Sequence, residues 1–329
     1  MGSSTDRAEA QKNEELLRQM NKTVVIAGSG RSGTTWVQDT LAEANGLRTL
    51  FEPLNPAGVP AARKFAHRYL DADADDCELE LFLGDVFSGA HRSLWTNYRI
   101  RPNRFNFFKV GVSPAIHNAH KLARHYYKYR HRRQGGVIVK FIRANLMLPW
   151  IVRQFHVPLL FVTRHPCAVI ASRLKLGGSV WVSQQELDRY RSSPDLVQLV
   201  LDEFNVDING SFSPVAALAC VWCIENLLPL RWADDAGYMV TAYEKLVVDD
   251  ENEWERVISG LGLSQVPEIA HRAQPSQQVS NEMKGKVFSG SHMGKWRQVL
   301  TDDQVNDISL ILDQFSCALY SVEKDFPTG

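Results

Sequence analysis

The sequence predicts an α/β protein, a three-layer sandwich with a central parallel β-sheet. Three observations support this prediction: short apolar runs recur along the chain, helix-period segments separate them, and a glycine-rich turn follows the first run. The apolar runs do not alternate with polar residues, a pattern that is typical of strands covered on both faces. The predicted strands are Thr23–Gly28, Val137–Ile142, Pro158–Thr163 and Tyr238–Ala242.

Longer segments with apolar residues at helical spacing lie between these strands. The predicted helices are Thr34–Ala44, Pro114–Arg133, Leu146–Phe155, Pro166–Leu174, Gln184–Phe204 and Ser213–Asp235. Strands that alternate with helices imply right-handed crossovers in a doubly wound sheet. Because no repeat and no low-complexity linker divides the chain, we expect one domain over residues 22–329, preceded by a polar extension at 1–21.

The composition excludes several classes of protein. The 329 residues include 37 Lys and Arg against 37 Asp and Glu, so the formal net charge is zero. A protein that coats nucleic acid needs a large basic excess, so we expect no nucleic-acid partner. Five scattered cysteines do not form a disulfide framework. No apolar stretch reaches the roughly 20 residues that cross a bilayer, so we expect no membrane span.

The most informative stretch is VVIAGSGRSGTTW, which runs from a predicted strand through a glycine-rich loop into a helix. Gly28 and Gly33 have the GxxxxG spacing of a nucleotide phosphate loop, in which backbone N–H groups and the helix N-terminus bind an anion. The phosphate loop of an NTPase has Lys at the next position, where this chain has Thr34. ATP–Mg²⁺ binding is therefore disfavoured, although a P-loop kinase or NTPase stays open as an alternative. Arg31 supplies a cation within the loop.

The segment GSGRSGTTW resembles the 5′-phosphosulfate loop of the sulfotransferases that use 3′-phosphoadenosine 5′-phosphosulfate (PAPS). A second segment, VTRHPCAVIAS, is similar to the 3′-phosphate motif of that family, in which a Ser follows an Arg by eight residues, as Ser172 follows Arg164. The resemblance implies a P-loop NTPase-like sulfotransferase fold, with PAPS as co-substrate and PAP, the desulfated nucleotide, as product. An Arg fork with a helix-borne hydroxyl also suits a phosphate dianion on chemical grounds.

Two weaker matches extend the resemblance toward the C-terminus. YEKLVVD begins at Tyr243, which resembles the family's Tyr beside the adenine, and GKWRQVLT resembles its Gly-x-Trp segment. The residues implied to bind the nucleotide are Gly30, Arg31, Ser32, Gly33, Thr34, Thr35, Trp36, Arg164, Ser172, Tyr243, Lys295 and Trp296. The Arg-Lys-Gly of cytosolic relatives falls on Ser289, Gly290 and Ser291, which leaves the second cation for the 3′-phosphate open. The candidates for it are Lys284, Lys286, Lys295 and Arg297.

Cytosolic sulfotransferases carry a Lys-Thr-His segment, and the matching residues here are Lys140, Phe141 and Ile142. Isoleucine takes no proton, so that family's base is absent. The segment RTLFEP resembles the Phe-Glu-Pro of glycan sulfotransferases, whose Glu faces the acceptor, and it predicts Glu52 as the base. Pro53 is expected to hold Glu52 in an extended backbone. The alternatives are a surface role for Glu52 and a histidine base, from His67, His117, His120 or His165.

The predicted catalytic residues are thus Glu52, Arg31 and Lys140. Arg31 is expected to reach the oxygen between phosphate and sulfate, and Lys140 either shares that role or forms a neighbouring ion pair. Backbone N–H groups from Ser32 to Thr35 are expected to complete the anion hole. The sulfuryl group carries less charge than a phosphoryl group, and no Asp or Glu pair at metal spacing accompanies the loop, so no metal is required. A protein that binds PAP without catalysis is the second alternative.

The Phe-Glu-Pro segment implies a hydroxyl acceptor on a carbohydrate or a glycosylated small molecule. The glycan branch normally has a Golgi membrane anchor, and no apolar stretch of this sequence is long enough for one. We therefore expect a cytoplasmic bacterial enzyme, or a Golgi-lumenal one whose anchor has been removed. The basic run 121–133 is expected to form a solvated helix face or to contact an anionic acceptor or surface. Cys220 and Cys223 are expected to pack inside a helix, since no second Cys or His pair accompanies them.

Overall fold

The structure is a computed structural model that describes residues 23–100, 123, 136–176, 183–248, 251–268 and 293–328. The strands of this part of the chain are β1 (Thr23–Ala27), β2 (Arg48–Phe51), β3 (Val137–Phe141), β4 (Leu159–Thr163) and β5 (Met239–Ala242). Its α-helices are α1 (Thr34–Ala44), α2 (Cys77–Phe87), α3 (Leu94–Tyr98), α4 (Leu148–Phe155), α5 (Pro166–Lys175), α6 (Ser183–Arg191), α7 (Pro194–Phe204), α8 (Pro214–Ala236), α9 (Tyr243–Val247), α10 (Glu251–Gly260) and α11 (Asp302–Gln314). Short 3-10 helices span Pro60–Lys64, Asn145–Met147 and Lys295–Gln298.

The strands form one sheet in the order β2-β3-β1-β4-β5, and every pairing in it is parallel. β1, β3 and β4 are buried along their whole length, as their unbroken apolar runs predict. Alternate β1 residues enter different cores: Val25 packs in the cluster that includes α2 and α4, and Ile26 packs in the cluster that includes α1 and α10. The predicted three-layer α/β architecture with a central parallel sheet is confirmed.

The described chain also contains helices that the sequence pattern does not predict, namely α2, α3, α9, α10 and α11. Two further departures from the predicted elements have a local physical cause. The pattern predicts no strand at Arg48–Phe51, because four residues that begin with Arg make a very short apolar run, yet pairing with β3 forms β2 there. The helix predicted over Gln184–Phe204 is two helices, because the chain breaks before Pro194, which starts α7. The predicted helix Pro114–Arg133, apart from Ala123, and the extension 1–21 lie outside the described residues.

The helix α8 runs through the interior. Cys220 and Cys223 are fully buried within it, which confirms the predicted packing role. Contrary to the expectation that no stretch is long enough, α8 could cross a membrane by length and apolar composition, but 83% of its apolar window is buried inside the fold. In this structure α8 serves as the central core helix.

The carboxyl ends of parallel strands meet at one edge of a sheet, and each strand here brings a predicted site residue to that edge. The glycine-rich loop follows β1, Glu52 follows β2, Lys140 is the fourth of the five residues of β3, Arg164 follows β4 and Tyr243 follows β5. The chain runs to one side of β1 for β2 and β3 and to the other side for β4 and β5. Open α/β sheets bind ligands at such a reversal of strand order.

Gly28 lies where β1 turns into the loop, and a Cβ there would overlap the carbonyl oxygen of Val162 in β4. We expect Gly28→Ala to lower the free energy of unfolding by about 1–3 kcal/mol, because the backbone of a central strand cannot move aside. The control is Gly84→Ala in α2, where a Cβ meets nothing within 4 Å. Higher helix propensity should make this control more stable by up to about 1 kcal/mol. Urea unfolding measures both variants, and equal stabilities would contradict the close approach.

Candidate functional site

The loop between β1 and α1 has the features of an anion-binding nest. Gly33 is the N-cap of α1, with φ +86°, and as a glycine it offers no side chain to cap the helix N-terminus. The hydroxyls of Ser29 and Ser32 are hydrogen-bonded to each other at 2.7 Å and buried, which closes the base of the loop. Ser32 N, which is expected in the anion hole, instead donates to the Ser29 carbonyl oxygen at 3.1 Å. The N–H groups of the first turn of α1 and the positive end of its dipole are what the loop offers to a phosphate or sulfate.

The Tyr243 ring packs against this loop at Gly33. A Cβ on Gly33 would overlap the Tyr243 ring, so only glycine permits the close packing. The Arg164 guanidinium lies over the same ring, 4.5 Å from its centroid. Burial raises the pKa of Tyr243 to about 12, and its ring is 4% exposed. The structure thus places Tyr243 between the loop and Arg164, where it orients both.

Trp36, a second predicted aromatic ligand, lies in the core beside Tyr243. Its ring is 3% exposed and makes edge contacts with Tyr243 at 5.6 Å and Trp254 at 5.7 Å between centroids. Thr34, the first residue of α1, is also buried. The contacts of Trp36 are those of a core side chain.

The two predicted phosphate motifs meet in space. Arg31 Nε donates to Ser172 Oγ at 2.9 Å, and an Arg164 NH group donates to the Arg31 carbonyl oxygen at 3.1 Å. Arg31 is held with φ +80°, in the left-handed region. The Nε of Arg164 is buried, and no described residue accepts its hydrogen. A buried guanidinium N–H without a partner is costly, and a bound phosphate oxygen would satisfy it.

Two residues that the motifs do not single out hold the loop from behind. Arg173 donates from Nε to the Gly30 carbonyl oxygen at 3.3 Å and pairs with Glu225 at 2.9 Å. Both charged side chains are 0–1% exposed. The sequence signal for Arg173 is its place directly after Ser172 on α5, but nothing in the sequence of α8 points to Glu225.

Glu52 lies at the end of β2 with its carboxylate enclosed by two cations. Its Oε1 is 2.8 Å from Lys140 Nζ and its Oε2 is 2.9 Å from an Arg143 NH group. The expected extended backbone is wrong, because Glu52 has φ +48°. Hydrogen bonds to its carbonyl oxygen, from Trp95 Nε1 at 3.2 Å and from Asn55 N at 3.0 Å, hold this conformation against the preference of a residue before proline.

Lys140 joins the carboxylate to the loop. Its Nζ also donates to Thr35 Oγ1 at 3.2 Å, and it lies 4.1 Å from the centroid of the Phe51 ring. Burial lowers the pKa of Lys140, and Glu52 opposes that shift. The ammonium therefore lies between the predicted base and the first turn of α1. Of the two alternatives for Lys140, the neighbouring ion pair is present, and the role at the oxygen between phosphate and sulfate stays a prediction.

The site gathers more positive than negative charge. Its cations are Arg31, Lys140, Arg143, Arg164 and Arg173, and its carboxylates are Glu52, Glu225 and Glu244. The repulsion is visible at Arg31, whose pKa is lowered by burial and further by Arg164 and Arg173. Five cations against three carboxylates leave a surplus that a bound polyanion would neutralise.

His67, one of the alternative bases, ends a buried chain of hydrogen bonds. Its Nδ1 lies 3.2 Å from the Tyr190 hydroxyl, which donates to Glu225 Oε1 at 2.8 Å. Because that hydroxyl gives its only hydrogen to Glu225, His67 Nδ1 must carry a hydrogen and donate it. Burial lowers the pKa of His67 well below 6.5, and Arg189, Arg143 and Arg173 add to the shift. The imidazole is therefore neutral, with Nε2 unprotonated.

The remaining predicted residues lie farther along the edge or outside the described residues. Trp296 is buried and stacks on the His165 ring at 5.3 Å, next to Arg164 in sequence, and Lys295 is exposed. Arg297, a candidate second cation, donates to the carbonyl oxygens of Val322 and Glu323. The other residues named in the sequence analysis lie outside the described residues, namely His117, His120, Lys284, Lys286, Ser289, Gly290, Ser291 and most of 121–133.

No protein-family model and no curated protein sequence matches the chain. Among solved structures it is similar to the sulfotransferase domain of the Synechococcus PCC 7002 olefin synthase, with 19% identity, coverage of 91% of this chain and 95% of that one, and a TM-score of 0.45. It is also similar to the mouse sulfotransferase SULT7A1 complexed with PAP (12% identity, 94% and 91% coverage, TM-score 0.40). A third is sulfotransferase STF1 from Mycobacterium tuberculosis (13%, 95% and 81%, 0.37). Identities this low leave the functional assignment to the chain's own side chains.

Protonation of His165 gives a testable dependence of stability on pH. Its Nε2 donates to the carbonyl oxygens of Ser321 and Lys324, its Nδ1 has no described partner, and burial lowers its pKa from 6.5 to about 4. Asp325 opposes the shift and Arg297 adds to it. Because the folded pKa lies below the unfolded one, the neutral ring stabilises the fold fully above about pH 6.5. That stability falls by up to about 3 kcal/mol as the pH drops toward 4.

His165→Gln keeps an amide N–H donor but does not titrate, so this variant should lose that part of the pH dependence. Urea unfolding of both proteins at about pH 7 and about pH 5 measures the difference. A variant whose stability falls as steeply as that of the unchanged protein would contradict the role of His165.

Proposed function

We propose that the protein is a sulfotransferase that transfers the sulfuryl group of PAPS to an acceptor hydroxyl. The observation that carries the proposal is the position of Lys140. Its ammonium contacts both the Glu52 carboxylate, at 2.8 Å, and the Thr35 hydroxyl, at 3.2 Å. Lys140 thus lies between a proton acceptor, Glu52, and an anion-binding loop. Transfer from a bound phosphosulfate to a hydroxyl needs both of these groups close to the reacting atoms.

The described residues fit the nucleotide at two places. The loop from Gly30 to Thr35 and the positive end of α1 would bind the 5′-phosphosulfate. Arg164, with its unpartnered Nε, and the Ser172 hydroxyl would bind the 3′-phosphate. The surplus of positive charge among the site residues supports a ligand that carries two separate anionic groups. Simple Mg²⁺-nucleotide recognition is less well matched, because Thr34 stands where an NTPase has its Lys.

In the proposed reaction Glu52 accepts the proton of the acceptor hydroxyl while that oxygen forms a bond to sulfur. The bond between sulfur and the 5′-phosphate oxygen breaks, and its electron pair stays on the phosphate of PAP. Lys140 stabilises the charge that grows on this leaving oxygen, and Arg31 assists from the loop. As Lys140 moves toward the leaving oxygen, it frees Glu52 Oε1 to take the proton. Arg143 keeps the other oxygen of Glu52 oriented, at 2.9 Å.

We extend the proposal to the acceptor as a hydroxyl on a carbohydrate or a glycosylated small molecule, on the resemblance of Phe51, Glu52 and Pro53 to the glycan branch. The neutral imidazole of His67 lies on the same side of the site, since its backbone N donates to the Arg143 carbonyl oxygen at 2.8 Å. Arg143 is the more exposed of the two cations on Glu52, at 17% against 3% for the Lys140 side chain. An acceptor that reaches Glu52 would therefore pass Arg143.

Nucleotide binding tests the proposal first. PAP at about 100 times its Kd should stabilise the fold by roughly 2.7 kcal/mol, whereas ATP with Mg²⁺ should not, and thermal unfolding measures both. Arg164→Ala tests the 3′-phosphate site and should weaken PAP binding by about 2–4 kcal/mol, because a buried charge-assisted contact is lost. Stabilisation by ATP–Mg²⁺ and not by PAP would favour a kinase or NTPase instead.

Replacement of the base separates a catalyst from a protein that only binds PAP. Glu52→Gln should reduce transfer of labelled sulfate from PAPS, in a screen of sugar and glycoside acceptors, by at least about 10²-fold. Its affinity for PAP should stay within a few fold, because Lys140 and the loop remain. Glu253→Gln is the matched control, a buried carboxylate paired with Arg256 on α10, and should keep the full rate.

Full activity of Glu52→Gln would show that another residue accepts the proton, and His67 is the next candidate. PAP binding without transfer to any acceptor by the unchanged protein would favour the binding-only alternative.

A further inference from the structure

The turn that carries Arg164 is very short. β4 ends at Thr163 and α5 begins at Pro166, so Arg164 and His165 are the whole connection. Any shift of His165 must therefore move Arg164, whose guanidinium is the proposed ligand of the 3′-phosphate. Contacts that hold His165 in place therefore also hold Arg164 at the proposed nucleotide site.

The C-terminal segment, residues 319–328, fastens the His165 ring. Nε2 lies 3.0 Å from the carbonyl oxygen of Ser321 and 2.9 Å from that of Lys324. Carbonyls only accept hydrogen bonds, so Nε2 carries the hydrogen and donates it to the segment. Trp296 stacks against the ring at 5.3 Å with an interplanar angle of 15°. The His165 side chain is thus held on its edge and on its face.

The same segment fixes the backbone of the turn through Glu244. His165 N donates to Glu244 Oε1 at 2.9 Å, and the Tyr320 hydroxyl donates to Glu244 Oε2 at 2.8 Å. The carbonyl oxygen of the same peptide group, that of Arg164, accepts a hydrogen bond from Trp222 Nε1 at 3.0 Å. Both polar atoms of the peptide group between Arg164 and His165 are therefore held, and Tyr320 orients the carboxylate that binds its N–H.

Arg297 in turn holds the segment. Its guanidinium donates to the carbonyl oxygens of Val322 and Glu323, at 3.2 and 3.1 Å, and pairs with Asp325 at 3.1 Å. Thr328 N donates to the Leu319 carbonyl oxygen at 2.8 Å, which closes the segment on itself. The segment therefore forms a closed loop that packs against the nucleotide edge of the sheet.

We propose that the C-terminal segment is a positioning element of the nucleotide site, in which Tyr320 acts through Glu244 and His165 to aim Arg164 at the 3′-phosphate. The inference rests on the proposed function, because it needs a nucleotide that carries a 3′-phosphate. A guanidinium can bind phosphate with two parallel hydrogen bonds, and it loses less conformational entropy in doing so when its plane is oriented beforehand. Tyr320 is thus a residue that determines preference for 3′-phosphorylated nucleotides without contacting them.

The test is Tyr320→Phe, which removes one hydroxyl, with Tyr238→Phe as its matched control. Tyr238 is also buried, and its hydroxyl donates to the Pro229 carbonyl oxygen, away from Arg164. Calorimetry measures the Kd of PAP and of adenosine 5′-phosphate, which lacks the 3′-phosphate, for all three full-length proteins. Tyr320→Phe should weaken PAP binding about tenfold and change the Kd of adenosine 5′-phosphate less than twofold. Tyr238→Phe should leave both constants unchanged, even if it lowers the Tm as much.

The outcomes separate this inference from the function on which it rests. If the unchanged protein binds PAP more tightly than adenosine 5′-phosphate and Tyr320→Phe keeps the same preference, the inference alone is overturned. Equal weakening of both nucleotides also overturns it, because the effect would not be specific to the 3′-phosphate. An unchanged protein that binds PAP no more tightly than adenosine 5′-phosphate defeats the proposed function and the inference together.

A second pair of variants covers the case in which Tyr320→Phe does not fold. His165→Ala removes the donor to the segment and should lose the preference for PAP. His165→Gln restores an N–H donor at a similar reach and should recover most of that preference. A His165→Ala protein that prefers PAP as strongly as the unchanged one would overturn the inference.

Discussion

Surplus positive charge in a buried place is the constraint on which the site depends. The chain as a whole is neutral, yet Arg31, Lys140 and Arg164 meet at the carboxyl edge of the sheet. Contacts within the chain hold these cations: Glu52 pairs with Lys140, and Arg164 donates to the carbonyl oxygen of Arg31. These contacts orient the cations before a ligand arrives, so little reorganisation remains to be done on binding.

Backbone strain is concentrated at the same place. Three candidate site residues have left-handed backbones, Arg31 at φ +80°, Glu52 at +48° and His67 at +63°. The other non-glycine residues of the described chain with positive φ lie at helix C-termini, where that conformation is common, namely Arg99, His156, Asn205 and Ser316. Such conformations cost about 1–3 kcal/mol each and persist where neighbours fix them. Around Glu52 those neighbours are Trp95 and Asn55.

The parts of the site that sequence reasoning missed share a physical cause. Arg143 and Glu225 lie in ordinary sequence surroundings, and only the folded chain brings them to Glu52 and Arg173. β2 was hidden for a similar reason, because its four residues carry too little pattern and are made a strand by pairing with β3. Long-range partners have no local signature, so a single sequence cannot reveal them.

The sequence by itself determined the strand–loop–helix unit, the parallel sheet and the two phosphate motifs. Each depends on residues that are close in the chain: glycines that permit the turn at Gly33, apolar runs that must be buried, and an Arg at a strand end. Only the tertiary structure decided that Lys140 joins Glu52 to Thr35 and that residues 319–328 fasten the turn of Arg164. Those contacts arise from the register of parallel strands and from packing between distant segments, which fix geometry that no local pattern encodes.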